Sequence, residues 1–214
     1  MNRLCMCAVG AMGVAGGLAS AEVVWSFDTD TQGWGTLNDA REFAWDGASG
    51  QPAGSIRARD IGDGRIWYFS APVVDISNAA SMYGGEIAWD VLGIQGNQAS
   101  FGGRADVMLV GGGLSIGIDV GAQPVNGQWT SWSAAVSEAG GWRVVTSLSS
   151  GALGASVTEA EIRTVLADLS GFYIQGEYTN GADRAGLDNV SFVPAPGVAV
   201  GFGMLGIAGM RRRR

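Results

Sequence analysis

The sequence predicts an all-β protein: a jelly-roll-like antiparallel β-sandwich with one short helix, preceded by an N-terminal signal peptide and followed by a short apolar C-terminal helix. Three observations predict it. Short apolar segments with period-two alternation recur along residues 22–193. Glycine-rich turns separate them, in a chain with 36 Gly among 214 residues. One segment alone, starting at Thr158, carries apolar residues at helical spacing.

The first 21 residues read as an export address. Arg3 gives a positive start, Leu4 to Leu18 is apolar, and Ala19-Ser20-Ala21 fits the small-x-small rule for signal peptidase. Cys5 and Cys7 both fall inside this segment, so the mature domain has no cysteine to form a disulfide.

Ten strands follow from the alternation. They are Val23 to Phe27, Ser55 to Asp60, Ile66 to Ser70, Glu86 to Leu92, Val107 to Val110, Leu114 to Val120, Trp129 to Val136, Arg143 to Thr146, Phe172 to Tyr178 and Leu187 to Val193. Gly111-Gly112-Gly113 reads as a hairpin turn. It lacks the Lys and the helix that a phosphate loop needs. Asn180-Gly181 reads as another turn. Thr158-Glu159-Ala160-Glu161 is a capping box. Ile162, Val165, Leu166 and Leu169 then mark a helix face, and Gly171 ends the run.

The C-terminal segment, residues 194–214, forms a unit of its own. Pro194-Ala195-Pro196 breaks the chain, an apolar run covers 197–210, and Arg211, Arg212, Arg213 and Arg214 close it. As a helix that run reaches about 21 Å, short of a hydrocarbon core of about 30 Å. The arginines would stay cytoplasmic by the positive-inside rule.

Charge and composition exclude several functions. The chain has no His, and its 13 basic residues are all Arg. That removes His-based triads, imidazole metal ligands and Schiff-base lysines. Residues 22–193 hold eight arginines against all 20 acids, a net charge of −12. Nucleic acid is a poor partner for such a surface.

Two resemblances carry further expectations. Trp25-Ser26-Phe27-Asp28, Gly33-Trp34, Trp67-Tyr68-Phe69-Ser70-Ala71-Pro72, Tyr83-Gly84-Gly85, Gly141-Trp142-Arg143 and Leu187-Asp188-Asn189-Val190 occur in an order that resembles the laminin IV type A (laminin B) domain. The resemblance spans nearly all of 25–192 and implies an extracellular, non-catalytic, jelly-roll module. The tail resembles the bacterial PEP-CTERM sorting signal, with Ala195 where that motif has Glu. It implies handling by an exosortase and membrane contact through 197–210 before processing.

Candidate ligand contacts are the aromatic faces of Trp34, Trp67, Trp129 and Trp132, which suit sugar rings; most tryptophans of such a sandwich serve its core. Trp129 and Trp132 are three apart on one strand and face opposite sides, so at most one of them is buried. Asp28, Asp30 and Asp188 are candidate calcium ligands, because first and last strands often pair in a jelly roll. The plainer reading is turn chemistry for Asp28 and Asp30 and a strand-tying hydrogen bond for Asp188. Asp60 to Arg65 reads first as a tight turn and second as an ion or sugar contact. A hydrolase with two carboxylates needs no His, yet nothing marks such a pair, and Glu159 and Glu161 belong to the helix start. The expected function is an exported, envelope-associated, non-catalytic structural or adhesion module of the surface or matrix. The alternative is a carbohydrate-binding module for exopolysaccharide or environmental glycans.

Overall fold

The computed structural model describes residues 22–195, apart from 61, 63, 77, 95–101 and 180. The expected signal peptide of residues 1–21, Pro196, the apolar run 197–210 and Arg211 to Arg214 lie outside the described residues, as does Asn180 of the predicted turn. Among the described residues no helix is long and apolar enough to cross a membrane.

Two antiparallel sheets face each other. The first holds β3 (Ala40–Asp46), β4 (Ser55–Asp60), β13 (Arg184–Val193), β6 (Glu86–Ile94) and β9 (Trp129–Ala135) in that order, and β1 (Val23–Trp25) pairs with the far end of β13. The second runs β11 (Ala152–Ser156), β10 (Arg143–Ser147), β8 (Leu114–Ile118), β7 (Val107–Gly111), β12 (Leu169–Gln175), β5 (Tyr68–Ser70) and β2 (Gly35–Leu37). The first and last strands therefore do pair, with Val23 opposite Phe192 and Trp25 opposite Val190.

Alternation explains the layers. Ile87, Trp89 and Val91 of β6 point inward, and Val107 and Leu109 of β7 meet them from the opposite sheet. Edge-to-face aromatic contacts fill the space between. Trp25 meets Trp34 at 5.3 Å, and Trp34 meets Phe172 at 5.8 Å. A smaller cluster of Ile66, Tyr68, Ala105, Met108 and Val145 forms apart from this main core.

The helix α1 (Glu159–Ala167) starts as the sequence predicts. The Glu161 backbone N–H donates to the Thr158 hydroxyl, and the Thr158 backbone N–H donates to the Glu161 carboxylate at 2.8 Å. Ile162, Val165 and Leu166 are buried beneath it. It lies directly on the β7–β8 turn: a Cβ on Gly111 would come within 2.3 Å of the Val165 carbonyl oxygen.

The predicted bounds shift by two or three residues at β1, β5, β8 and β13, and three larger corrections apply. The helix stops at Ala167 with Asp168 as its C-cap, and Leu169 already begins β12, so Gly171 lies inside a strand. That strand ends at Gln175, because Gly176 is where the chain passes over Trp67. The strands β2, β3 and β11 escaped notice. β2 has three residues, β3 has a register shift with Glu42 at φ 55°, and β11 is a half-exposed edge without alternation.

Candidate functional site

The tryptophans divide by role. Trp34 is 4% exposed and Trp67 0%, so neither offers a ring face to a ligand. Both fill the core instead. Trp34 is packed edge-on by Trp25, Phe27 and Phe172, and Trp67 lies 5.0 Å from Phe69. Trp129 and Trp132 are both half-buried and use opposite faces of β9. Trp132 leans inward against Trp89 and Tyr178. Trp129 lies on the outer face over Gly186, where a Cβ would sit 3.0 Å from the indole ring. Beside it, Gly186, Leu92, Arg57 and Arg184 line an open groove of about 160 Å³. A further indole, Trp45, is 40% exposed with its N–H held by the Phe27 carbonyl at 2.7 Å. Sequence reasoning missed it because β3 lacks clean alternation.

The three candidate calcium ligands do not share one environment. Asp188 is fully buried. Its carboxylate accepts the N–H groups of Gln51 and Asn189, each at 2.7 Å. Burial pushes its carboxyl up, those two bonds pull it down, and the charges of Asp90 and Asp28 raise it again. Asp90 stands directly opposite Asp188 across the β6–β13 ladder. The Asn189 side-chain amide donates to Asp90 at 2.8 Å and to the Gln51 carbonyl at 2.7 Å, which tempers that repulsion. Asp28 accepts from the Ser26 hydroxyl, whereas Asp30 accepts the Gln32 N–H inside its own turn. Asp188 is therefore faced by Asp90 and bridged to it and to the Gln51 carbonyl by Asn189, while Asp28 acts on it through charge; Asp90 was not a candidate from the sequence.

A second group of acids gathers at one end of the sandwich. Asp39, Asp60 and Glu177 are all buried, and each offers an oxygen within 4.8 Å of the others. Asp183 joins them through Trp67, whose indole N–H donates to Asp183 and whose backbone N–H donates to Glu177. Burial, then Asp60 and Asp183, pushes the Glu177 carboxyl to about 8. Burial raises Asp183 to about 6 and, in a separate place, Asp106 to about 7. A cavity of about 310 Å³ opens beside Asp60 and Glu177, lined also by Gly62, Arg104 and Ser150. The loop from Asp60 was noted in the sequence, and the Gly62 N–H does donate to the Asp60 carboxylate as a turn requires. The signal for Glu177 was a carboxylate inside an aromatic strand segment.

Glu159 and Glu161 serve the helix. Glu161 caps it, and Glu159 accepts from Arg163 at 2.7 Å. The Arg163 guanidinium also sits 3.8 Å above the Tyr83 ring.

Comparison with known proteins completes the picture. The laminin B (domain IV) family model matches residues 68–200. The L4b domain of human laminin alpha-2 is similar in structure, with a TM-score of 0.60 at 16% identity over 82% of this chain and 98% of that one. The solution structure of CtCBM11 gives 0.51 at 12% identity, over 86% of this chain and 100% of that one. A family 11 carbohydrate-binding module from Clostridium thermocellum, solved with a β-1,3-1,4-mixed-linked tetrasaccharide, gives 0.46 at 15% identity over 82% and 98%. At these identities the likeness concerns the fold. No curated protein matches the chain.

Proposed function

The chain belongs to the laminin B (domain IV) family, and from that premise we propose that it is an exported, non-catalytic structural or adhesion module of the cell surface or matrix. One observation carries the reading: the use of the tryptophans. Five of the eight are buried, and they knit a rigid aromatic core between two sheets. Such a scaffold suits holding a surface in place better than building a flat sugar platform. Export would depend on signal peptidase acting after Ala21, and envelope retention on residues 194–214 with an exosortase. The test compares the full chain with a form lacking 194–214 in fractionated cells. The full chain is expected in the envelope fraction and the truncated form in the medium. Identical distributions would contradict sorting.

A second reading, carbohydrate binding, is favoured by one specific feature: Trp129 flanks an open groove with its ring on the outer face of a sheet. Affinity for a neutral or acidic glycan on an array supports this reading, and silence across both classes opposes it.

Calcium is proposed as a stabiliser, not a reactant. Asp28, Asp90, Asp188 and the Gln51 carbonyl are hard oxygens of the kind calcium prefers, yet among the described residues it is Asp39, Asp60 and Glu177 that bring three carboxylate oxygens within 4.8 Å of one another. The Asn189 amide now holds the Asp90 and Gln51 oxygens and would have to turn aside. Calcium at a hundredfold excess over its dissociation constant stabilises by about 2.7 kcal/mol. A melting temperature that rises with calcium and falls with a chelator is expected, and an unchanged one would remove the ion from the account.

A further inference from the structure

The outer face of the β3-β4-β13-β6-β9 sheet carries an arrangement of charge that its own fold does not need. Arg41 of β3 stands opposite Arg59 of β4, and Arg59 stands opposite Arg184 of β13. Cross-strand partners share a face, so three guanidinium groups line up across three neighbouring strands, about 10 Å from first to last. The next outward row runs Ala44, Arg57, Gly186, Leu92 and Trp129. Half of the eight arginines of residues 22–193 therefore sit on one patch of a domain whose net charge is −12. Like charges directly opposite each other destabilise a sheet.

The compensation is partial. Glu42 meets Arg59 at 2.6 Å, and Asp46 meets Arg57 at 3.6 Å, both in solvent-exposed pairs that contribute little to stability. Among the described residues Arg184 and Arg41 make no ion pair. Gly186 gives the groove a floor without a side chain, and the Trp129 ring lies against Gly186 at the groove's edge, outside its lining.

We propose that this face binds an anionic polysaccharide, with Arg57, Arg59 and Arg184 gripping its carboxylates and Trp129 stacking on a sugar ring. The inference rests on the carbohydrate-binding reading above and names its ligand class. Guanidinium forks match carboxylates through two parallel N–H bonds, so a uronate displaces the weak contacts of Glu42 and Asp46 without loss of pairing. The single indole and the surrounding negative charge favour a chain with spaced carboxylates over the dense charge of a nucleic acid.

The test is titration calorimetry of the full chain with three probes: tetragalacturonate, its fully methyl-esterified form, and a single-stranded DNA oligonucleotide. The acid is expected to bind, and binding should weaken as salt rises. Losing a charge-assisted contact is worth about tenfold in affinity, so the ester and the Arg184→Ala protein should each bind about tenfold more weakly or worse. Arg184→Ala, which relieves the Arg59–Arg184 repulsion, should leave the melting temperature at or above the parent's. Glu42→Gln, which frees Arg59, should tighten binding. Equal binding of acid and ester, with Arg184→Ala silent, would overturn the anionic site while leaving glycan binding intact. Binding of DNA as tight as that of the acid would overturn it in favour of a general polyanion surface. No binding of either sugar would overturn it at this face, and the neutral-glycan array then decides separately whether glycan binding itself stands.

Discussion

At the residue scale the largest surprise is how many carboxylates are buried. Glu177 is 6% exposed and Asp183 3%, yet no arginine pairs with either among the described residues. They are held by Trp67 and by the Tyr178 backbone N–H. Between an ordinary 4.5 and about 8, the folded chain keeps a proton on Glu177 that the unfolded chain has released. The stability tied to that proton is full below pH 4.5 and lost as pH rises through about 8. We expect the melting temperature to be lower at pH 8.5 than at pH 5.5, with Glu177→Gln flattening that slope; a melting temperature independent of pH in both proteins would contradict the burial argument. Gly176 makes a second prediction. A Cβ there would lie 2.0 Å from the Trp67 ring, so Gly176→Ala overpacks the core. Its cost is about 1–3 kcal/mol in denaturant unfolding. Sequence reading saw Trp67 as a landmark and offered its ring to a ligand. The backbone just after β12 crosses that ring at Gly176, a contact between segments 109 residues apart that no local pattern marks.

At the scale of elements, what was legible was what is periodic or capped. The Ser55–Asp60 strand alternates Ile56 and Ala58 against Arg57 and Arg59, and its bounds emerge as predicted. The β7–β8 hairpin also forms where predicted, with β8 stopping at Ile118 instead of Val120, and its turn uses left-handed backbone at Gly112 and Gly113. What failed was irregular. β3 carries Glu42 at positive φ, and its bulge breaks the period-two signal. The helix end was misread because Leu169 suits both the helix face and the first position of β12. The helix start gives a clean test. Thr158→Ala removes the hydroxyl that takes the Glu161 N–H and should cost about 1 kcal/mol. Thr158→Ser should restore most of it. Equal stability of all three proteins would mean that the capping box contributes nothing.

At the scale of the whole molecule, the two sheets divide the work. Among the described residues most of the large aromatic side chains pack between them, which leaves function to the outer faces and loop ends. Of the tryptophans proposed from sequence for ligand contact, Trp129 keeps an outward face, and it does so beside the arginine rows. Those rows were invisible in the sequence, where Arg41, Arg59 and Arg184 are far apart and only strand register brings them together. The acids around Asp188 show the same limit: the β1–β13 pairing was legible, whereas Asp90 comes to face Asp188 only through its register on β6. Against a net charge of −12 on residues 22–193, four arginines on one sheet face stand out.

The central claim is that this family member works outside the cell. Intact cells producing the full chain, treated with a protease that does not enter them, test it most directly. The account predicts that the protein is digested while a cytosolic marker survives. Protection of the protein until the cells are lysed would contradict it.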